Sequence, residues 1–593
     1  MSDDDLSDDD RHCSFHVSSD TPMVRNLKDA FQWPRHYWDA TATTTHVDQM
    51  AAAFATVDIS TAFSGICAPS TAMHCMIAGL PPVQAKHISF KYRWAIEWST
   101  EAQRELTVLP TPPEQIFGDI LKFLTDKAEQ ELNSLGPEPH LADMEKIILH
   151  SKHAIHICMS TSRLHIAGTP CTDFSTQGKG EGLDGVTMKY LLVWCRIMLE
   201  LRIPIIVTEN VKTFPWKKLH AYLPGYSAQT VVLRNTEFGH AVERCRRYTV
   251  FHLSCLVELS RPLADMPPVF HRVRAPSHTW HDYIQAETPE LNAELVWASP
   301  HGAPALTTTD EAAFERCLIG RYEGKHLDAF KSMCPRGRVY TLSQNPAAGK
   351  ATYSRKDVLH TVIANVQLNW SDTHNRWMTA RELLSAQGFP VYQKLMDYVC
   401  GGQTCPTPLC SFNRSRMQSG LPSRERRHMS HQAGNSMMVS VVGAVMYWCS
   451  VYTVDVGSST IPRHISSPTS SQSPCASTAS SDSSSTPWKT HQFRPKMRPM
   501  MSLASVSSSS DMQPSEHGDC EFTTHVYNMR VRRRSTSVSV DCWSPASTQS
   551  VMCDPICSFD EWVTRLKCCR RNSECIVFGF ATVCVALHVN ASG

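Results

Sequence analysis

The 593-residue chain lacks several features that would assign it quickly. It has no glycine-rich loop closed by lysine, which speaks against a nucleoside triphosphate held by its phosphates. No apolar run reaches the roughly 20 residues of a membrane helix; "CIVFGFATVCVAL" at 575–587 is the longest late candidate and falls short. The expectation is a soluble chain with no membrane partner. Net charge is nearly absent, since 57 basic and 56 acidic residues leave +1, so any basic surface has to be local. The 23 cysteines show no repeated framework spacing, and the start "MSDDDLSDDDR" is acidic where a signal peptide is basic and apolar. A reducing compartment follows as the expectation. No internal repeat is present.

Composition divides what is there. Residues 1–55 read as an acidic tail and lead-in. From 56 to 260, short apolar runs alternate with helix-like stretches: "TVDISTAFSG", "HISFKYRWAIE", "QIFGDI", "SRLHIAGTPC", "IPIIVTENV", "QTVVLRNTEFG" and "RYTVFHL". That alternation predicts an α/β fold with a doubly wound parallel sheet. Residues 261–424 form a smaller, irregular domain and the motif leading back from it. "GNSMMVSVVGAVMYW", within 425–453, predicts an apolar helix entered through Gly434 and Asn435 that completes the first domain. From 454 to 593 a serine-rich composition predicts a disordered tail.

In an open α/β sheet, ligands bind outside the carboxyl ends of the strands. The first strand would end in "AFSG", where Gly65 lets backbone approach a ligand, the second in Glu97 and the third in Asp119. A carboxylate after the second strand suits two ribose hydroxyls, and one after the third suits the amino group of adenine. Together they point to an adenosine-containing cofactor. The fourth and fifth strands would end in Pro170-Cys171 and Glu209-Asn210-Val211. On neighbouring strands about 4.8 Å apart, a thiol and a carboxylate can flank one flat ring. The thiolate adds to an electron-poor ring carbon while the carboxylic acid serves a ring nitrogen. Each residue alone reads as a buried thiol or a solvated acid; the pair is what singles them out. Asp173 works against a thiolate, so positive charge has to come from elsewhere. "GHAVERCRRYTVF" supplies it through Arg244, Arg246 and Arg247.

These residues resemble the DNA (cytosine-5) methyltransferase family over roughly 58–450. "FSG" resembles its first cofactor motif, Glu97 its ribose-binding acid and Asp119 its adenine-binding acid. "TPCTDFSTQGKGEGLDG" resembles the Pro-Cys catalytic loop and "TENV" the Glu-Asn-Val motif. "GHAVERCRRY" resembles the arginine motif, "NRWMTARELLSAQGFP" the Gln-Gly-Phe-Pro motif and "QAGNSMMVSVVGAV" the terminal Gly-Asn motif. The resemblance implies S-adenosyl-L-methionine as cofactor, held by Phe63, Ser64, Gly65, Glu97, Trp98, Asp119, Ile120, Pro170, Asn435 and Ser436. It implies double-stranded DNA as partner, with a cytosine flipped out of the stack. Cys171 would then add to C6, Glu209 contact N3 and the amino group, Arg246 the carbonyl oxygen, and Arg244 support the catalytic loop. The segment 261–375 would recognise the target.

Three positions depart from the family pattern: Cys67 replaces the second glycine of the first motif, Val242 a glutamine, and Thr172 the glutamine after Pro-Cys. Cys67 thus puts a side chain where backbone would approach the cofactor, and Val242 removes a polar group from the loop interface. Basic stretches at 334–356 and 414–428 are candidate phosphate contacts. Cys400, Cys405 and Cys410 lack a fourth ligand of familiar spacing, so no metal is expected. "RVRRRS" at 530–535 has the character of a nuclear address. Two other readings stay open: a tRNA cytosine-5 methyltransferase of the same fold, whose Cys-Phe-Thr signature the chain lacks, and a catalytically silent DNA-binding homologue.

Overall fold

The computed structural model describes residues 20–42, 53–54, 57–80, 85, 88, 90–134, 161–175, 180–182, 185–299, 312–349, 351–364, 368–402 and 423–457, and in the tail 521–523, 529–534, 537–542 and 550–552. The chain divides into two compact units, residues 1–468 and 469–593.

Seven strands form the central sheet of the first unit: β1 (Asp58–Ala62), β2 (Lys91–Ile96), β3 (Gln115–Phe117), β4 (Leu164–Gly168), β5 (Ile205–Asn210), β6 (Tyr226–Arg234) and β7 (Cys245–Leu253). Their order is β3-β2-β1-β4-β5-β7-β6. The order reverses between β1 and β4, so the loops leaving these two strands diverge there and open the crevice in which such sheets bind ligands. Strands β1 to β5 pair in parallel, whereas β7 lies antiparallel to both β5 and β6. The expectation of an all-parallel sheet is therefore corrected at β7. The reason is chain length: residues 235–244 join Arg234 directly to its partner Cys245, and a parallel return requires a crossover of a dozen or more residues.

Both sheet faces are covered, which is why the strands read as apolar runs rather than alternations. In β5, Ile205 and Val207 enter one core and Ile206 the other. The helices that matter for the site are α1 (Leu27–Phe31), α2 (Trp33–Ala42), α3 (Ala68–Ala78), α4 (Met188–Leu201), α5 (Thr288–Ala298), α6 (Tyr322–Met333), α7 (Ala380–Ala386), α8 (Gln393–Val399), α9 (Ser423–Asn435) and α10 (Val439–Tyr452). Helix α10 is apolar all round and buried from Val439 to Cys449. Gly434 and Asn435 end α9 instead of opening α10, a correction to the sequence reading; Met438 is the residue that precedes α10. Among the described residues no single helix is long and apolar enough to cross a membrane.

The lead-in is more structural than its composition indicated. Phe31, Trp33 and Tyr37 are fully buried in the main core, and the Tyr37 hydroxyl donates to the Ser440 carbonyl of α10. Residues 261–283, grouped with the smaller domain by their irregular composition, also send Leu263, Met266, Phe270, Trp280 and Tyr283 into that core. The smaller core gathers later residues, from Leu295 to Trp377, around the antiparallel strands β8 (Val339–Thr341), β9 (Asn369–Ser371) and β10 (Arg376–Trp377).

The second unit contains two antiparallel strand pairs, Glu521–Thr523 with Ser550–Met552 and Met529–Arg534 with Ser537–Cys542. The sequence "STSVSVDC" alternates valine with polar residues, the two-residue period of a strand. The "RVRRRS" run falls on one of these strands.

Candidate active site

The carboxyl ends of β4 and β5 bring the thiol and the carboxylate together. Gly168 and Glu209 are cross-strand partners, and the chain continues from Gly168 through Thr169 and Pro170 to a half-buried Cys171. On one side of the cysteine, the Asn210 side-chain amide donates to the Thr169 carbonyl at 3.0 Å and to its hydroxyl at 2.8 Å. On the other, the Phe174 and Ser175 amides donate to the Cys171 carbonyl, winding a tight turn. Glu209 is buried. Arg246 Nε lies 3.2 Å and Arg244 Nη2 3.6 Å from its Oε1, yet that oxygen accepts no hydrogen bond among the described residues. A buried acceptor left open in this way costs about 1–3 kcal/mol, and it is ready for an incoming donor.

The arginines divide their work. Arg244 is buried and donates to the carbonyls of Val362 and Gly434, so it ties the returning segment and α9 to the Glu209 carboxylate it also faces. Burial, then the charge of Arg246, lowers Arg244 to about 10, which leaves it a cation at neutral pH. Arg246 is more open, 18 % exposed, and is the guanidinium able to face a ligand. For Cys171, burial and next the Glu209 charge push the thiol above its ordinary range, while Arg246 and Arg244 pull it back. The opposing acid is thus Glu209. Asp173, expected to work against the thiolate, is 2 % exposed and spends its carboxylate on Thr187.

At the other half of the edge, the loop after β1 turns through left-handed backbone at Phe63, Gly65 and Cys67. At Gly65 φ is +51°, backbone that a residue with a side chain rarely adopts, and a Cβ there would stand 2.9 Å from the movable end of the Gln432 side chain. Glu97, 5 % exposed, accepts from the Gly65 amide at 2.7 Å and the Ser99 amide at 2.9 Å. Burial raises its pKa above the ordinary carboxylate value, and these backbone donors pull it only part of the way back. Trp98 beside it is 74 % exposed, an open aromatic face. Asp119 caps the short helix Ile120–Phe123 through Oδ1, and Ile120 is buried. Cys67 does not enter the crevice: it is fully buried, caps α3 through its sulfur and lies 3.3 Å from the Tyr92 hydroxyl. The expectation that its side chain stands in the cofactor's way is overturned. The expectation for Val242 also changes, since it is fully buried in the main core and bridges to Leu359; the position is apolar packing.

Residues 159–405 match the family model described as C-5 cytosine-specific DNA methylase. No curated relative matches the chain by sequence. Similar solved structures include the Dnmt2 methyltransferase of S. pombe, at 14% identity and a TM-score of 0.38 over 66% of this chain and 97% of that one. Another is a putative DNA modification methyltransferase encoded within a prophage of E. coli, at 14% identity and 0.37 over 67% and 99%. The methyltransferase EhMeth of Entamoeba histolytica aligns at 12% identity and 0.33 over 66% and 98%.

The methylase domain match contains Cys171, Glu209, Arg244 and Arg246 and begins after the residues at the ends of β1 to β3. The structure nonetheless puts all these strand ends on one edge. Asn435 and Ser436 are less central than expected: Asn435 is exposed and bonds His431, and Ser436 bonds back to Ala433. Gln432 and Met437, on either side of them, are the residues of this motif that touch the loop after β1 and the end of β4, at Gly65 and Gly168. Both stand in the quoted Gly-Asn motif, and only the break between α9 and α10 decides which of its side chains point inward.

Two basic stretches fare differently from expectation. Arg426 is buried against Glu294 and over the Trp297 ring at 3.9 Å, so it holds α9 to α5 and is withdrawn as a phosphate contact. Arg336 and Arg355 remain exposed, although each also approaches an acid, Asp372 and Glu243 respectively. Cys400 is buried, and Cys405 and Cys410 lie outside the described residues.

Proposed function

We propose that this chain methylates C5 of cytosine in DNA with S-adenosyl-L-methionine as donor. The observation that carries the reading is the Cys171–Glu209 juxtaposition at adjacent parallel strand ends, with the Glu209 Oε1 buried, backed by Arg246 and accepting no hydrogen bond among the described residues. A cytosine ring between the two would receive the Cys171 electron pair at C6. Glu209 in its acid form would donate to N3, with the exocyclic amino group beside it, and Arg246 would meet the ring carbonyl. The electron density gained makes C5 the nucleophilic carbon. Once C5 has taken the methyl group, a base removes its proton and the C6–S bond breaks, returning the thiolate. A base can reach this edge only outside the duplex stack, so flipping belongs to the proposal.

The residues at β1 to β3 suit the cofactor. Glu97 keeps acceptor capacity beyond its backbone bonds, Asp119 keeps Oδ2, Trp98 offers an open ring, and the Gly65 turn brings backbone to the edge. When bound, S-adenosylmethionine supplies an electrophilic methyl group. The smaller core from Leu295 to Trp377 is the proposed target-reading part, and nuclear residence is proposed from the arginine run at 530–534. Labelled S-adenosylmethionine offered with duplex DNA and tRNA in parallel tests the reading. Label in DNA is expected; label only in tRNA, or in neither, overturns it.

A further inference from the structure

Cys171 is held from both sides. Two residues before it, Thr169 is tied to β5 by Asn210. Two residues after it, Asp173 turns away from the crevice, and one oxygen, Oδ2, accepts from the Thr187 amide at 2.9 Å and the Thr187 hydroxyl at 2.7 Å. Thr187 precedes the first turn of α4, a helix anchored in the core by Leu191, Leu192 and Trp194. The Asp173 carbonyl also accepts from the Gly182 amide at 2.8 Å. Gly185 lies directly on the Asp173 side chain, where any Cβ would overlap the carboxylate. The turn carrying the sulfur is thereby fixed to a rigid helix through one buried acid whose charge is met by donors.

We propose that Asp173 is a positioning residue for the Cys171 sulfur, acting through a clasp to Thr187 that Gly185 leaves room for. This rests on the assignment of Cys171 as the nucleophile. The clasp sets where the sulfur stands and leaves the thiol's charge environment to Glu209 and the arginines.

The variants Asp173→Ala, Asp173→Asn, Thr187→Val and Thr187→Ser separate geometry from charge. Two quantities are read on the full chain: kcat for methyl transfer, and the iodoacetamide alkylation rate of the Cys171 peptide across pH, followed by mass spectrometry. A displacement of the order of 1 Å costs up to about 100-fold, so Asp173→Ala and Thr187→Val are expected to lower kcat about 10- to 100-fold with KM for S-adenosylmethionine unchanged. Asp173→Asn and Thr187→Ser keep acceptor and donor and are expected to restore kcat to within about three-fold. The alkylation rate should change in the two disruptive variants, with its pH midpoint common to all. Should Asp173→Ala fail to fold, Thr187→Val, which leaves the amide donor in place, carries the test. Wild-type kcat and alkylation in Thr187→Val, or an Asp173→Asn as impaired as Asp173→Ala, overturns the proposal. If the wild type transfers no label to any nucleic acid while the disruptive variants alone change Cys171 alkylation, the clasp stands and the functional reading fails.

Discussion

Two buried glutamates stand near strand ends on the same sheet edge, Glu97 after β2 and Glu209 in β5, and they are built differently. Glu97 is met by backbone amides of Gly65 and Ser99. Glu209 faces two guanidinium groups, and its Oε1 accepts no hydrogen bond among the described residues. Backbone donors fix a carboxylate as an acceptor, as suits holding hydroxyls. Two cations balance a negative charge while leaving an oxygen for a donor, as suits a group that engages a ring during reaction. One edge thus carries a binding acid and a reacting acid, distinguished by their partners rather than by burial.

The comparison breaks first at Glu209. Glu209→Ala leaves two arginines uncompensated, one of them fully buried. It is expected to destabilise the fold by about 3–5 kcal/mol, seen as a lower urea midpoint, and to lower kcat at least about 100-fold. Glu209→Gln keeps the volume but removes the same negative charge, so it should be destabilised as well and lose the rate; a wild-type rate in it would remove the acid from the mechanism. Glu97→Ala should instead raise KM for S-adenosylmethionine about 10-fold, the value of one or two charged hydrogen bonds, with kcat little changed. A fall in kcat without a change in KM would erase the distinction between the two acids.

A third expectation concerns pH. Burial lowers His165 and His36 to about 3 and His74, His271 and His360 to about 4. The unfolded chain takes up these protons near 6.5 and the folded chain does not, so stability rises with pH between these limits. It is therefore present above about pH 6.5 and lost as pH falls toward 4. Thermal melts from pH 7.5 down to 5 should show a steady fall in Tm, and a flat profile would contradict the assignment of these imidazoles as buried and neutral.

The smallest effect belongs to Cys67. Its left-handed backbone costs roughly 1–2 kcal/mol, which Cys67→Gly relieves while giving up a buried sulfur of comparable worth. Stability should change by less than about 1 kcal/mol. KM for S-adenosylmethionine should stay the same because the sulfur faces Tyr92 and α3; a clear drop in KM would place it in the crevice after all.

Much of this edge was legible in the sequence, because strand ends can be read from apolar runs and the chemistry follows their last residues. Cys171, Glu209, Glu97 and Asp119 stand where those runs predicted them. What the sequence hid depends on which way a side chain turns. Asp173 looked like a hostile charge two residues from the thiol, and its rotation onto Thr187 makes it a clasp. Cys67 looked like an obstruction until the left-handed turn pointed it inward. Arg426, in a run of basic residues, is buried because α5 presents Glu294 to it, a pairing across the chain that spacing cannot reveal. The antiparallel β7 was legible in principle from the short link 235–244, and the alternation of elements concealed it.

The most direct test of the central claim is a covalent one. A duplex with 5-fluorocytosine at its target cytosines cannot lose the group at C5, so the adduct to C6 accumulates once the methyl group has arrived. Incubated with S-adenosylmethionine, the wild-type chain should form a denaturation-resistant complex with this duplex, traced by mass spectrometry to Cys171, and Cys171→Ala should form none. Methyl transfer to ordinary cytosine DNA with no adduct on the fluorinated duplex, or an adduct that persists in Cys171→Ala, would contradict the account.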